Sequence, residues 1–165
     1  MTTILAEIFR HNLWANLRTI DACAPLEPAQ IETAAVGAYG SIAATVLHMA
    51  SAEGRYFVRA TGDTTRDWPD DEAPFPGIGP LRESLQASGQ RLIALAAQEH
   101  NDRMVTYQAV GQPSANPLSM ILTKALAHAT EHRTHVAASL TVLGIEPPEL
   151  DAWFFIHPED LPSQA

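Results

Sequence analysis

The chain has 165 residues, 46% of them hydrophobic and 18% charged, enough to bury one core and too few to argue for two domains without a clear linker. Ten basic against nineteen acidic residues give a net charge of −9, which repels polyanions and argues against nucleic acid as a partner. The single cysteine, Cys23, excludes an intrachain disulfide and a cysteine-rich zinc site.

Ile4, Leu5, Ile8, Phe9, Leu13, Trp14, Leu17 and Ile20 recur at three- and four-residue steps, the apolar stripe of an amphipathic helix over roughly 3–23. Glu7, Arg10, His11 and Asn12 interrupt this stretch, so it is not a signal-peptide core. No other segment runs to about 18 apolar residues. The expectation is a single cytoplasmic domain over residues 1–165 with no membrane partner.

Pro25, Pro28 and the run from Thr33 to Gly40 break the pattern. Ser41 then stands as an N-cap before Ile42, Val46, Leu47 and Met49, predicting a second helix over about 41–61. From Gly62 to Gly79 come prolines and the acids Asp63, Asp67, Asp70, Asp71 and Glu72, a long surface connection able to shape a pocket mouth. Pro80 introduces Leu81, Leu85, Leu92, Ile93 and Leu95, a third helix to about 99.

Residues 104–110 have short β character, but Gly111, Pro113 and Pro117 follow closely, and the reading is a loop or an isolated extended segment with no sheet. Pro117 opens the longest periodic segment, through Met120, Ile121, Leu126, Val136, Leu140 and Leu143, and Gly144 is placed to end it, giving a fourth helix over about 117–143. The tail from Pro147 reads as irregular, ending in a short turn. Four helices of about 20 residues with one long connection between the second and third predict an all-α four-helix bundle.

The fourth helix carries His128, His132 and His135. Offsets of four and seven residues return to within roughly 40° of one face. Two imidazoles one turn apart can reach one ion. The zincin arrangement is absent, since Ala129 follows the first histidine and the acid, Glu131, precedes the second. A lone pair of this kind is more often surface or core histidine than ligand. His48, however, stands in the apolar run Thr45-Val46-Leu47-His48-Met49-Ala50, where an unbonded imidazole is costly. An inward histidine on the second helix and an inward pair on the fourth are what a bundle-core metal site requires. Ligand type alone leaves zinc, nickel, iron and copper open.

The segment Asn12-Leu13-Trp14-Ala15-Asn16, His48 followed five residues later by Glu53, and His128 to Arg133 ahead of Leu143-Gly144 and Pro147-Pro148-Glu149-Leu150-Asp151 together resemble the DinB/YfiT-like superfamily of metal-dependent, damage-inducible bundle proteins. The resemblance covers nearly the whole chain. It implies His48, His128 and His132 as metal ligands, with zinc or nickel as the ion and a homodimer as a common assembly. His135 falls where the family commonly has Gln, and Thr134 replaces the usual Gly, so His135 is a reserve ligand only.

The function implied is that of a metal-dependent transferase or hydrolase acting on a small molecule, with a low-molecular-weight thiol as co-substrate. The competing reading is a non-catalytic, stress-associated metal-binding protein. Glu53 and Glu131 are read as groups that orient imidazoles rather than as bases. Arg133 reads more readily as a surface charge than as an anion receptor. Trp14, Tyr56, Phe57 and Trp68 read as core and loop anchors, and Trp153-Phe154-Phe155 as an apolar cover for the core or a partner subunit.

Overall fold

A computed structural model describes residues 2–98, 101–109 and 111–161. Its long helices are α1 (Ile4–Cys23), α3 (Ile42–Thr61), α4 (Ile78–Ala97) and α5 (Leu118–Val142), with one-turn helices α2 (Pro28–Ile31) and α6 (Ala152–Ile156) and a 3₁₀ turn over Pro158–Asp160. Local chemistry sets the starts. The Thr3 and Ser41 hydroxyls accept from the third residue onward, Ala6 and Ala44, each satisfying an amide that the helix itself leaves free. Glu99, the expected last residue of the third helix, lies outside the described residues, as does Val110 at the end of the β-like stretch.

The core divides into two apolar clusters. One gathers Phe9, Tyr56, Phe57, Leu92, Leu95, Ile121 and Leu122; the other Ile20, Ile42, Val46, Leu81, Leu85, Val136 and Leu140. Along α1 and α5 the chain passes from the first cluster to the second; along α3 and α4 it passes from the second to the first. Helices α3 and α4 are therefore parallel neighbours, and a parallel pair needs a long crossover to bring the chain back to the same end. Residues 62–77 are that crossover.

A buried polar layer of Asn12, Asn16, Glu53, Ser88 and Arg133 falls between the clusters. Arg133 is 7% exposed, which corrects the expectation of a surface charge. The α1 stripe is also narrower than its hydrophobicity suggests: Ile4 and Ile8 are exposed, and Ala6, Asn12, Ala15, Asn16 and Thr19 take inward positions beside Phe9 and Ile20. Met120 on α5 likewise faces outward.

The stretch expected to form no sheet is a hairpin. β1 (Met104–Ala109) pairs antiparallel with β2 (Gln112–Pro117), from Met104 opposite Pro117 to Ala109 opposite Gln112. The prolines are tolerated for a positional reason. Leu118 N–H donates to the Arg103 carbonyl, so even-numbered residues of β2 face β1 while Pro113 and Pro117 turn their missing N–H outward, where an edge strand loses nothing. Gly111 supplies the positive φ of the turn, +74°. The short helix α2 was also hidden by its proline: Pro28 starts the turn, and the Gln30 side chain accepts from the Glu27 amide. In the tail, Phe155 packs on Trp14 and His11 of α1, while Trp153 is 55% exposed.

Candidate metal centre

His48 on α3 and His128 and His132 on α5 converge where these two helices pack against each other. One nitrogen from each lies within 4.8 Å of the others. His132 is buried, and the His48 side chain is 16% exposed. The Nε2 atoms of His48 and His128 stand 2.9 Å apart. Two metal–imidazole bonds of about 2.0–2.1 Å meeting at the tetrahedral angle separate their nitrogens by about 3.3 Å, a few tenths of an ångström more than this spacing.

The outer nitrogens explain why the inner ones are free to accept a cation. Asp71 of the crossover places Oδ2 3.0 Å from His48 Nδ1. An ionised carboxylate only accepts, so Nδ1 carries the proton and Nε2 presents its lone pair to the cluster. Arg55 Nη2 donates to the same Oδ2 at 2.9 Å. Burial works against ionisation of Asp71, but the Arg55 and His48 contacts hold its carboxyl below the usual carboxylate range. His132 Nδ1 lies 3.3 Å from His135 Nδ1, so His135 serves as an outer partner to His132 and stands outside the convergent trio.

Burial pushes His128 down to about 3, with His132 and His48 adding to the effect, and lowers His132 in the same way. Neutral imidazoles at neutral pH are the form that binds a metal ion. Three imidazole nitrogens within 4.8 Å of one another fit a divalent cation that would take their lone pairs.

Aromatic rings wall the site. Tyr39 stacks on His48 with centroids 4.3 Å apart and meets His132 edge-on at 5.0 Å; Tyr56 meets His128 edge-on at 5.5 Å. A cavity of about 260 Å³ opens beside His48, lined by Tyr39, Leu47, Asp71, Phe75 and Glu32. A cavity of the same size lined by Leu5, Leu118 and Leu122 has no imidazole in its lining, so volume alone does not mark the site.

Glu53 and Glu131 do not orient the imidazoles. Glu131 is exposed. Glu53 Oε2 accepts from Asn16 at 2.8 Å and Asn12 at 3.3 Å, and Oε1 accepts from Ser88 at 2.5 Å. The oxygens of both asparagines accept in turn from Arg133 Nη1, at 2.7 and 2.6 Å, so two amides relay between a buried carboxyl and a buried guanidinium. Asn12 and Asn16, one turn apart on the inward face of an apolar helix, were the available signal for this layer. For Asp71 there was none: nothing distinguishes it in sequence from the neighbouring acids.

The family model described as the DinB family matches residues 1–164. No protein of curated function matches the chain.

Proposed function

The chain belongs to the DinB family, and from that membership and the geometry we propose that His48, His128 and His132 hold a divalent metal ion, zinc or nickel, in an enzyme that transfers a small-molecule thiol to an electrophile. The observation that carries the reading is the convergence of three imidazole nitrogens, two of whose rings are engaged on the far side by Asp71 and His135. An ion bound there would lower the pKa of a water or thiol that joins it.

The nucleophile in this reading is a metal-bound thiol, which like a metal-bound water needs no separate base once its pKa is lowered. Asp71 is committed to His48 and Arg55 and Glu53 faces the asparagines, while Glu32 lines the cavity beside His48. That thiol does not come from the chain: Cys23 is fully buried, donates to the Thr19 carbonyl, and is pushed up to about 12 by burial. A small-molecule thiol entering the cavity beside His48 meets aromatic walls at Tyr39 and Phe75.

The test is elemental analysis of untagged protein beside His48→Ala and His135→Ala, followed by a screen of low-molecular-weight thiols with electrophiles. About one ion per chain, lost in His48→Ala and kept in His135→Ala, supports the ligand set. Metal content equal in wild type and His48→Ala overturns it. A full metal complement with no thiol consumption favours the non-catalytic metal-binding reading.

A further inference from the structure

The crossover over residues 62–77 is mostly exposed, and its acids Asp67, Asp70 and Glu72 face solvent. Asp71, unlike these, is half-buried. Its side chain is 28% exposed and reaches α3, where His48 and Arg55 hold one oxygen at 3.0 and 2.9 Å. Arg55 also donates to Ser51 Oγ. His48, Ser51 and Arg55 follow one another by three and four residues, so a single face of α3 receives the crossover. The segment has other anchors: Trp68 lies over Gly54 and against Phe57, and Asp63 pairs with Arg91 of α4 at 3.0 Å.

We propose that Asp71 is the positioning residue of His48 and that, through it, the order of the crossover and the occupancy of the three-histidine site are thermodynamically linked. The inference rests on the three-histidine reading above. The docked carboxylate sets the His48 tautomer and aims Nε2 at His128; outer partners of this kind change metal affinity by roughly 10- to 100-fold. Linkage is reciprocal. If undocking Asp71 weakens the ion by a given factor, the ion must favour the docked crossover by the same factor. An ion with equal affinity for both arrangements would shift nothing.

The probe is cobalt(II), titrated into the untagged 165-residue chain against a chromophoric chelator, with limited proteolysis of residues 62–77 in parallel. Asp71→Ala should weaken cobalt about 10- to 100-fold at unchanged stoichiometry, and should alter the visible cobalt spectrum. Asp71→Asn retains an acceptor for Nδ1 and should lose less. Arg91→Ala frees the crossover at Asp63 without touching Asp71 and should weaken cobalt less than Asp71→Ala does. Cobalt should slow cleavage in the wild type and fail to do so in Asp71→Ala.

Wild-type affinity in Asp71→Ala overturns the proposal while leaving the ligand set intact. A loss in Arg91→Ala equal to that in Asp71→Ala also overturns it, because loop order rather than the carboxylate would then be responsible. A wild-type chain that binds no cobalt removes the three-histidine reading itself, and the proposal with it.

Discussion

A buried carboxylate is stable only where its surroundings replace water, and Glu53 shows how this chain meets that requirement. Three donors and the relayed charge of Arg133 favour the ion, while burial disfavours it more strongly, and the carboxyl is pushed up to about 7 from an ordinary 4.5. The folded state therefore binds a proton that the unfolded chain releases between about pH 4.5 and 7. Stability from this group is full at the acid end and falls as pH rises through that interval. In urea titrations from pH 4.5 to 7.5, the stability of wild type minus that of Glu53→Gln should decline with pH. A flat difference would mean that the asparagine relay holds Glu53 ionised throughout. At the metal centre the same physics acts on cations: buried imidazoles stay neutral, which is the state a metal ion needs.

Between elements, close packing ties the crossover to α3. A Cβ built on Gly54 would lie 2.3 Å from Trp68 Cγ and 2.8 Å from Trp68 Cβ, so Gly54→Ala must displace the indole and the backbone that carries it. Overpacking of this kind costs about 1–3 kcal/mol, against a helix-propensity gain of about 1 kcal/mol. The net expectation is destabilisation in urea unfolding. Unchanged or raised stability would show that Trp68 moves aside freely and that α3 does not hold the crossover by packing. The hairpin is local in a different sense. Its prolines are harmless only because β2 has a free edge, so proline content was a poor guide to whether a strand forms there.

For the molecule as a whole, a bound ion acts as a stabiliser because the site joins α3 to α5, elements that separate on unfolding. An ion at 100 times its Kd adds about 2.7 kcal/mol. In a chain of this size each kcal/mol raises Tm by about 2–4 °C. Thermal scans should therefore show a rise of roughly 5–10 °C with a saturating divalent ion in the wild type and none in His132→Ala. Equal shifts in both would place the ion elsewhere. Among the described residues no helix is long and apolar enough to cross a membrane.

Local rules were enough for the parts of this protein that depend on neighbours along the chain. Apolar periodicity located the four long helices to within a few residues, Ser41 marked the start of α3, and the four-residue spacing of His128 and His132 placed two imidazoles on one face. The long connection between the second and third helices was legible in its prolines and acids; that it joins parallel neighbours was not. Tertiary structure decided which groups meet. It turned Arg133 inward to Asn12 and Asn16, drew Glu53 away from the imidazoles, exposed Ile4 and Ile8, and singled out Asp71 from a row of equivalent acids. The physical reason is range: helix periodicity and capping are set within about one turn, whereas burial, tautomer and hydrogen-bond partner are set by contacts across dozens of residues.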